Sequence, residues 1–485
     1  MPVPEPKPAW LERAIAPVTA RAVAAIAAFN RWRLPPRDAP HPMLTGLNRP
    51  MTEELTLTEL VVEGDIPSEL DGRYVRIGPN PVDPDPRTYH FFTGDGMLHG
   101  IRIAGGRALW YRNRWIRSEL VAKARGIEPA PGPRHIFDTV NTNVVPHAGR
   151  GYALVEAGST PVRFGEELED QAYDDFEGTL PGSFTAHPRR DPATGELHAI
   201  CYEANDPKRV RYVVVDPRGK VRRAIVIPVE DGPLIHDCAI TARFVIVMDL
   251  PLTLSLRTVL SGHGFPYRWN PRHRARIGLL PRDGEAEDII WAPIEPCFAF
   301  HIANAHDRPD GRVAMDVIAY DFMFAAGDTL DESARRFERW TLCPETRTVV
   351  RETLDGTPQE FPRIDERRAG LPYRYAYTLV EPGALDDGAG KGEAQLFRHD
   401  LETGERAIHR FGPGRAPGEF VFVPRAAEVA EGDGWLIGLV IEPDGERSAL
   451  EILDARDLPA APLATIRLPH RVPVGIHGAW LPNMG

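Results

Sequence analysis

The stretch RYVVVDPRGK (211–220) places a run of aromatic and β-branched residues directly before Asp, Pro and Gly. Tyr and Val suit a pleated strand, and the polar cluster after them is turn chemistry. The decapeptide therefore reads as a strand entering a hairpin. The same grammar recurs along the chain. RYVRIG (73–78), GYALVEA (151–157), FVIVMDL (244–250), VAMDVIAY (313–320) and GWLIGLV (434–440) are short strand-like runs, and DPATGE (191–196) and DLETGE (400–405) are further hairpin-like turns. No unit repeats word for word, but strand pairs recur from about residue 55 onward. The pattern predicts an all-β fold, either a propeller or a large sandwich.

The 485 residues could make several average domains or one large all-β domain, and they can bury a large core. Lys and Arg number 57 against 69 Asp and Glu, a formal charge of −12 that argues against nucleic acid as a general partner. The basic cluster RHRAR (272–276) then reads as solvated surface. The four Cys (Cys201, Cys238, Cys297, Cys343) are widely spaced in apolar runs and read as reduced thiols of a cytosolic protein. The opening MPVPEPKPAW lacks the basic-then-apolar order of a secretory signal, and no apolar run reaches the roughly 18 residues of a membrane span.

Residues 1–36 form a separate unit, a Pro-rich disordered start followed by an amphipathic helix. In Trp10–Trp32, Leu11, Ile15, Val18, Ala22, Ile26 and Phe29 recur every three or four residues on one face, with Arg13, Arg21, Arg31 and Arg33 nearby. The helix either packs on the main domain or lies in a membrane interface. Residues 37–485 are expected to form a single domain. The segment DLPLTLSLRTVLSGHGFPYRW (249–269) is too apolar for a solvated loop. It either packs beneath other loops or lines the mouth of an apolar tunnel.

Four apolar stretches each present a histidine: SFTAHP at His187, LIHDCAI at His236, FAFHIANAHD at His301 and VGIHGAW at His477. Neutral imidazole is a common ligand for iron, zinc, copper and nickel. The spacing fits neither a zinc finger nor a zincin, but it suits a fold whose strands converge on one axis. Spacing alone leaves these four among 16 His in the chain.

The wording around them resembles the carotenoid cleavage oxygenase family, which also contains stilbene-cleaving oxygenases and a retinoid isomerohydrolase. The resemblance runs from about His41 to Trp480 through GRYVRIGPNP (72–81), YHFFTGDGMLHGIRI (89–103), NTNVV (141–145), FTAHPRRDPATGE (184–196), IHDCAIT (235–241), ARIGLLPR (275–282), FHIANA (300–305), EFPRID (360–365), GEFVFVPR (418–425) and PHRVPVGIHG (469–478). It implies a seven-bladed β-propeller with a dome of helices and loops over the metal-bearing face. It also implies one Fe(II) per chain, held by His187, His236, His301 and His477, with Glu156, Glu360 and Glu419 behind three of them. The implied reaction is cleavage of a conjugated carbon–carbon double bond with O2 to give two carbonyl products.

Stilbene-cleaving relatives typically carry a Lys just before the first of these Glu, where it binds the phenol oxygen. Here that residue is Val155, which cannot ionise or hydrogen-bond a phenol. A carotenoid or apocarotenoid substrate is expected, in a tunnel that includes Val155, Leu252, Leu254 and Phe265. A stilbene or phenylpropanoid oxygenase and a non-catalytic propeller binding hydrophobic ligands remain the alternatives. The expected setting is the cytoplasm, with peripheral contact to the inner face of a membrane through residues 10–33 and the 249–269 loop. GDGM (94–97) has neither a P-loop nor an EF-hand frame and reads as a tight hairpin turn. His99 and His306 lie near motifs but outside the family's ligand positions.

Overall fold

Each strand-forming run pairs with its neighbours in the chain, and the result is seven antiparallel sheets arranged as the blades of a propeller. The computed structural model describes residues 23–262, 264–325, 333–381 and 392–483. The opening stretch shows the principle. Arg209–Val215 pairs with Val221–Pro228 across the DPRGK turn. Asp216 organises that turn by accepting hydrogen bonds from Arg218 N and Lys220 N, both 2.9 Å, on one carboxylate oxygen.

The blades follow in chain order. The strands of the second lie within 143–173, the third within 189–228, the fourth within 239–293, the fifth within 298–355 and the sixth within 360–410. The first and seventh are closed by segments remote in sequence. Gly478–Pro482 pairs with Gly72–Pro79 in the first blade, and Val61–Gly64 pairs with Ala464–Leu468 in the seventh. Both ends of the propeller domain are thus sewn into the ring.

Middle strands are covered on both faces by neighbouring blades. Phe244–Asp249 and Val313–Tyr320 are buried at every residue, which explains their continuous apolar spelling. Outer strands such as Val221–Pro228 mix exposed and buried positions. Trp340, Trp435 and Tyr212 fill the spaces between blades. Cys201, Cys238 and Cys297 are buried free thiols and Cys343 is half-buried, all without disulfide partners.

A helix occupies residues 23–33; the part of the expected helix from Trp10 to Ala22 lies outside the described residues. Ile26, Phe29 and Trp32 are exposed at 47, 55 and 74%, while Val23, Ala27 and Asn30 are half-buried. The helix meets the 249–269 segment, where Asn30 donates to Leu260 O at 2.7 Å and Arg31 Nε to Gly262 O at 3.3 Å. That segment is a ribbon, Leu252–Leu254 paired with Tyr267–Trp269, carrying a short helix Leu256–Ser261. Its base is buried at Leu252 and Phe265, and its tip exposes Leu256 at 58%. No helix among the described residues is long and apolar enough to cross a membrane.

GDGM is not a hairpin turn. It follows a single 3-10 turn, Phe91–Thr93, and leads into the strand Gly96–Ala104. Asp95 accepts from Val82 N at 3.1 Å, and a Cβ on Gly96 would collide with Val140 O, so the glycine permits a close backbone approach.

Candidate metal centre

All seven blades contribute to one point on the axis. His477 sits just ahead of the axial strand of the first blade, His187 of the third and His236 of the fourth, and His301 lies within that of the fifth. Glu156 comes from the second blade, Glu360 from the sixth and Glu419 from the seventh. The ring-nitrogen ligand atoms of the four His all lie within 4.8 Å of one another.

Local backbone irregularity aims these side chains inward. Pairing slips between Ala299 and Ile302, between Glu360 and Arg363, and between Pro417 and Phe420. His301, Glu360 and Glu419 therefore sit at bulges, where a strand can turn a side chain out of the pleat. Phe361 and Ala157, each directly after a site Glu, have φ of +52° and +70°. The left-handed region is costly for such residues, by about 1–3 kcal/mol, and such strain gathers at functional sites.

Three His have a carboxylate behind them. His236 Nδ1 is 2.8 Å from Glu156 Oε2, His301 Nδ1 is 2.6 Å from Glu360 Oε2, and His477 Nδ1 is 2.9 Å from Glu419 Oε1. An ionised carboxylate only accepts, so each Nδ1 carries the proton and each Nε2 is left with a bare lone pair. Those lone pairs converge: His301 Nε2 is 3.2 Å from His236 Nε2 and 3.1 Å from His477 Nε2. His187 Nε2 is buried without a hydrogen-bond partner. Three nitrogens freed of a proton by their carboxylates, together with the partnerless His187 Nε2, face one point and fit a cation.

Each carboxylate is itself held. Tyr202 donates to Glu156 at 3.0 Å, and Tyr320 and Phe361 N donate to Glu360 at 2.6 and 2.5 Å. Arg363 grips Glu419 in a bidentate pair at 2.8 and 2.7 Å, and Gly478 N donates to Glu419 at 2.9 Å. Burial works to raise the Glu360 pKa, but the charge and hydrogen bond of His301, with Tyr320 and Phe361 N, bring it down to about 2. Burial opposes ionisation of Glu419 too, yet Arg363 and His477 hold it well below the usual carboxylate range. Burial, and repulsion from the other three imidazoles, push His187 well below its ordinary value. Burial likewise takes His477 down to about 4. In His236 the burial penalty is outweighed by Glu156, and the pKa rises.

Two environments meet at the four His. Phe300 packs edge-on to His236 at 5.2 Å and continues through Phe92 to Phe265, Phe324 and His90. Another side opens into a small polar pocket of about 30 Å³ lined by His187, Arg189, Asp237, His301, Arg363 and Glu366. Of the expected tunnel residues, Phe265 belongs to the aromatic cluster. Val155 is buried beside Glu156, Leu252 lies in the core, and Leu254 is half-buried. His99 is bonded to Tyr111 and His306 faces Tyr373, both away from the centre. Sequence reasoning passed over Tyr202, Tyr320, Arg363, Arg189 and Asp237. Arg363, Arg189 and Asp237 lay inside quoted motifs, whereas the two Tyr end ordinary strands and carry no local signal.

A propeller whose seven blades converge on four imidazoles and three carboxylates defines an axial metal-site protein. The profile of the family described as Retinal pigment epithelial membrane protein matches residues 48–482. A carotenoid cleavage oxygenase of Mycobacterium tuberculosis is 40% identical over 92% of this chain and 98% of its own length. An apocarotenoid-15,15'-oxygenase of Synechocystis is 32% identical over 86% of this chain and 92% of its own. The crystal structure of a Pseudomonas brassicacearum lignostilbene dioxygenase superposes with a TM-score of 0.82 at 29% identity, covering 93% of this chain and 100% of that one. The chain belongs to the carotenoid cleavage oxygenase family and is an oxygenase.

Proposed function

We propose that this enzyme is a non-heme Fe(II) dioxygenase that cleaves a conjugated double bond of a carotenoid or apocarotenoid. The observation that carries the reading is the axial centre itself, four imidazoles backed by three carboxylates, beside an aromatic wall. An iron(II) ion held by His187, His236, His301 and His477 would supply activation of dioxygen for alkene cleavage, which redox-inert zinc cannot. The protein's own work is positional. Glu156, Glu360 and Glu419 fix three tautomers and offset part of the charge in a buried site. The cluster of Phe300, Phe92 and Phe265 supplies an apolar surface against which a polyene can lie beside the centre. No side chain is assigned as a general base.

Val155, buried directly beside Glu156, favours a polyene over a 4-hydroxystilbene, since it offers no partner for a phenol. The likeness to a lignostilbene dioxygenase structure supports a second reading, a stilbene substrate bound through other groups; Tyr202 and Tyr267 are the nearby polar candidates. The exposed Ile26, Phe29 and Trp32, on a helix that packs against the Leu256–Ser261 tip, support a cytoplasmic enzyme resting on a lipid surface. The test is aerobic incubation of the Fe(II)-loaded protein with a carotenoid, several apocarotenals and a 4-hydroxystilbene, followed by mass spectrometry, with His301→Ala as control. Paired carbonyl products from a polyene, absent in the control, are expected. Cleavage of the stilbene alone would overturn the polyene assignment.

A further inference from the structure

Three of the four His lean on a carboxylate, and among the described residues His187 has none within hydrogen-bond reach. Its chain segment is instead fastened two residues later. Arg189 Nε donates to Asp237 Oδ1 at 3.1 Å and to Cys238 O at 2.8 Å, and its NH2 group donates to Asp237 Oδ2 and, at 2.6 Å, to Ile302 O. Asp237 in turn accepts from Cys238 N at 2.7 Å and from Ile302 N at 2.9 Å. One ion pair thus joins the segments carrying His187, His236 and His301, at residues directly adjacent to two of those ligands. Asp237 is 2% exposed, so the pair is shielded from water and its geometry is enforced.

We propose that Arg189, through Asp237, is the positioning residue that holds His187 in metal-binding geometry, the part that Glu plays for the other three. This rests on the metal-centre reading given above. The guanidinium is suited to it because a planar fork can meet both oxygens of a carboxylate and two carbonyls at once, four acceptors against the three donors of a lysine. His477 is served by the separate Arg363–Glu419 pair.

The test is a titration of metal-free full-length protein with Co2+, reading affinity and the visible absorption of the bound ion. Wild type should bind one Co2+; failure to do so would overturn the metal-centre reading and the proposal with it. Arg189→Met should weaken binding by about 10–100-fold and change the spectrum, as loss of a ligand-orienting group does. Arg189→Lys should recover part of the affinity. Because Arg189→Met leaves Asp237 buried and unpaired, Arg189→Met/Asp237→Asn serves as a second, charge-neutral variant if the first does not fold. Arg339→Met is the control, since Arg339 and Asp316 form a comparable bidentate pair, both bonds 2.7 Å, within the fifth blade. It should lower the melting temperature without altering Co2+ affinity. In a His187→Ala background the Arg189 change should cost less than about threefold, because the route through His187 is gone. An Arg189→Met loss no larger than that of Arg339→Met, or undiminished in the His187→Ala background, would refute the assignment.

Discussion

Glu360→Gln separates the charge of a carboxylate from its shape. The native carboxylate receives three donors, His301 Nδ1, Phe361 N and Tyr320 OH. A glutamine can keep its oxygen on His301 and Phe361 while its amide donates to the Tyr320 oxygen, since a hydroxyl can turn from donor to acceptor. Packing and hydrogen-bond count are therefore preserved, and the negative charge is lost. The fall of the Glu360 pKa from an ordinary 4.5 to about 2 corresponds to about 3 kcal/mol of preference for the charged form, shared among those partners. Only the share that passes through His301 reaches the metal. The expected loss of affinity is about 10–100-fold, or roughly 1.4–2.7 kcal/mol. The assay is Co2+ titration against a competing chelator at pH 7, with the melting temperature of the metal-free protein measured beside it. The same charge has a pH signature. Its stabilisation of the metal-free fold is fully present above about 4.5 and is lost as the pH falls toward 2, so Glu360→Gln should flatten the acid-unfolding curve in that window. An affinity within twofold of wild type would refute the orienting role of Glu360.

Arg363→Met leaves Glu419, 2% exposed, without its guanidinium. The metal-free fold should lose about 3–5 kcal/mol in denaturant unfolding, and a loss below about 1 kcal/mol would contradict a tight buried pair. Phe29→Asp/Trp32→Asp/Leu256→Asp should abolish co-sedimentation with liposomes while leaving turnover of a detergent-solubilised apocarotenoid unchanged; undiminished sedimentation would remove the lipid-facing role of these side chains. Val155→Lys should raise kcat/KM for a 4-hydroxystilbene at least about tenfold and depress it for a polyene, as expected when a hydrogen-bonding group meets a matching substrate hydroxyl. No change in either ratio would show that residue 155 does not face the substrate.

Strand grammar was legible at RYVVVD, and the three hairpin turns, DPATGE, DPRGK and DLETGE, fall where the residues placed them. The residue pattern could not count blades. The axial strands of the third and fourth blades, Arg189–Arg190 and Ala239–Ile240, are two residues long, too short to carry a period. The ring is also closed by strands about 400 residues apart, Gly72–Pro79 and Gly478–Pro482, a pairing with no local signature. Resemblance, rather than periodicity, gave seven blades and the four His. The apolar period of the first helix left open whether it packs on the domain or meets a membrane; Ala27 and Asn30, small and polar, make the contact while Ile26 and Phe29 stay exposed. GDGM was misread because glycine marks a close backbone approach as readily as a turn. The bulges that aim His301, Glu360 and Glu419 arise from tertiary register and leave no spelling of their own.

The seam in the first blade sets a clock on the centre. Of the seven converging side chains, His477 is the last to be synthesised, and it is delivered by the strand that locks the ring. A nascent chain still lacking that strand can present His187, His236 and His301, but on a ring whose first blade lacks its axial strand. The complete set of four imidazoles therefore exists only after the ring has closed, so a metal bound by all four would report closure of the ring. A chain truncated before His477 keeps only three of the imidazoles and would hold a metal more weakly.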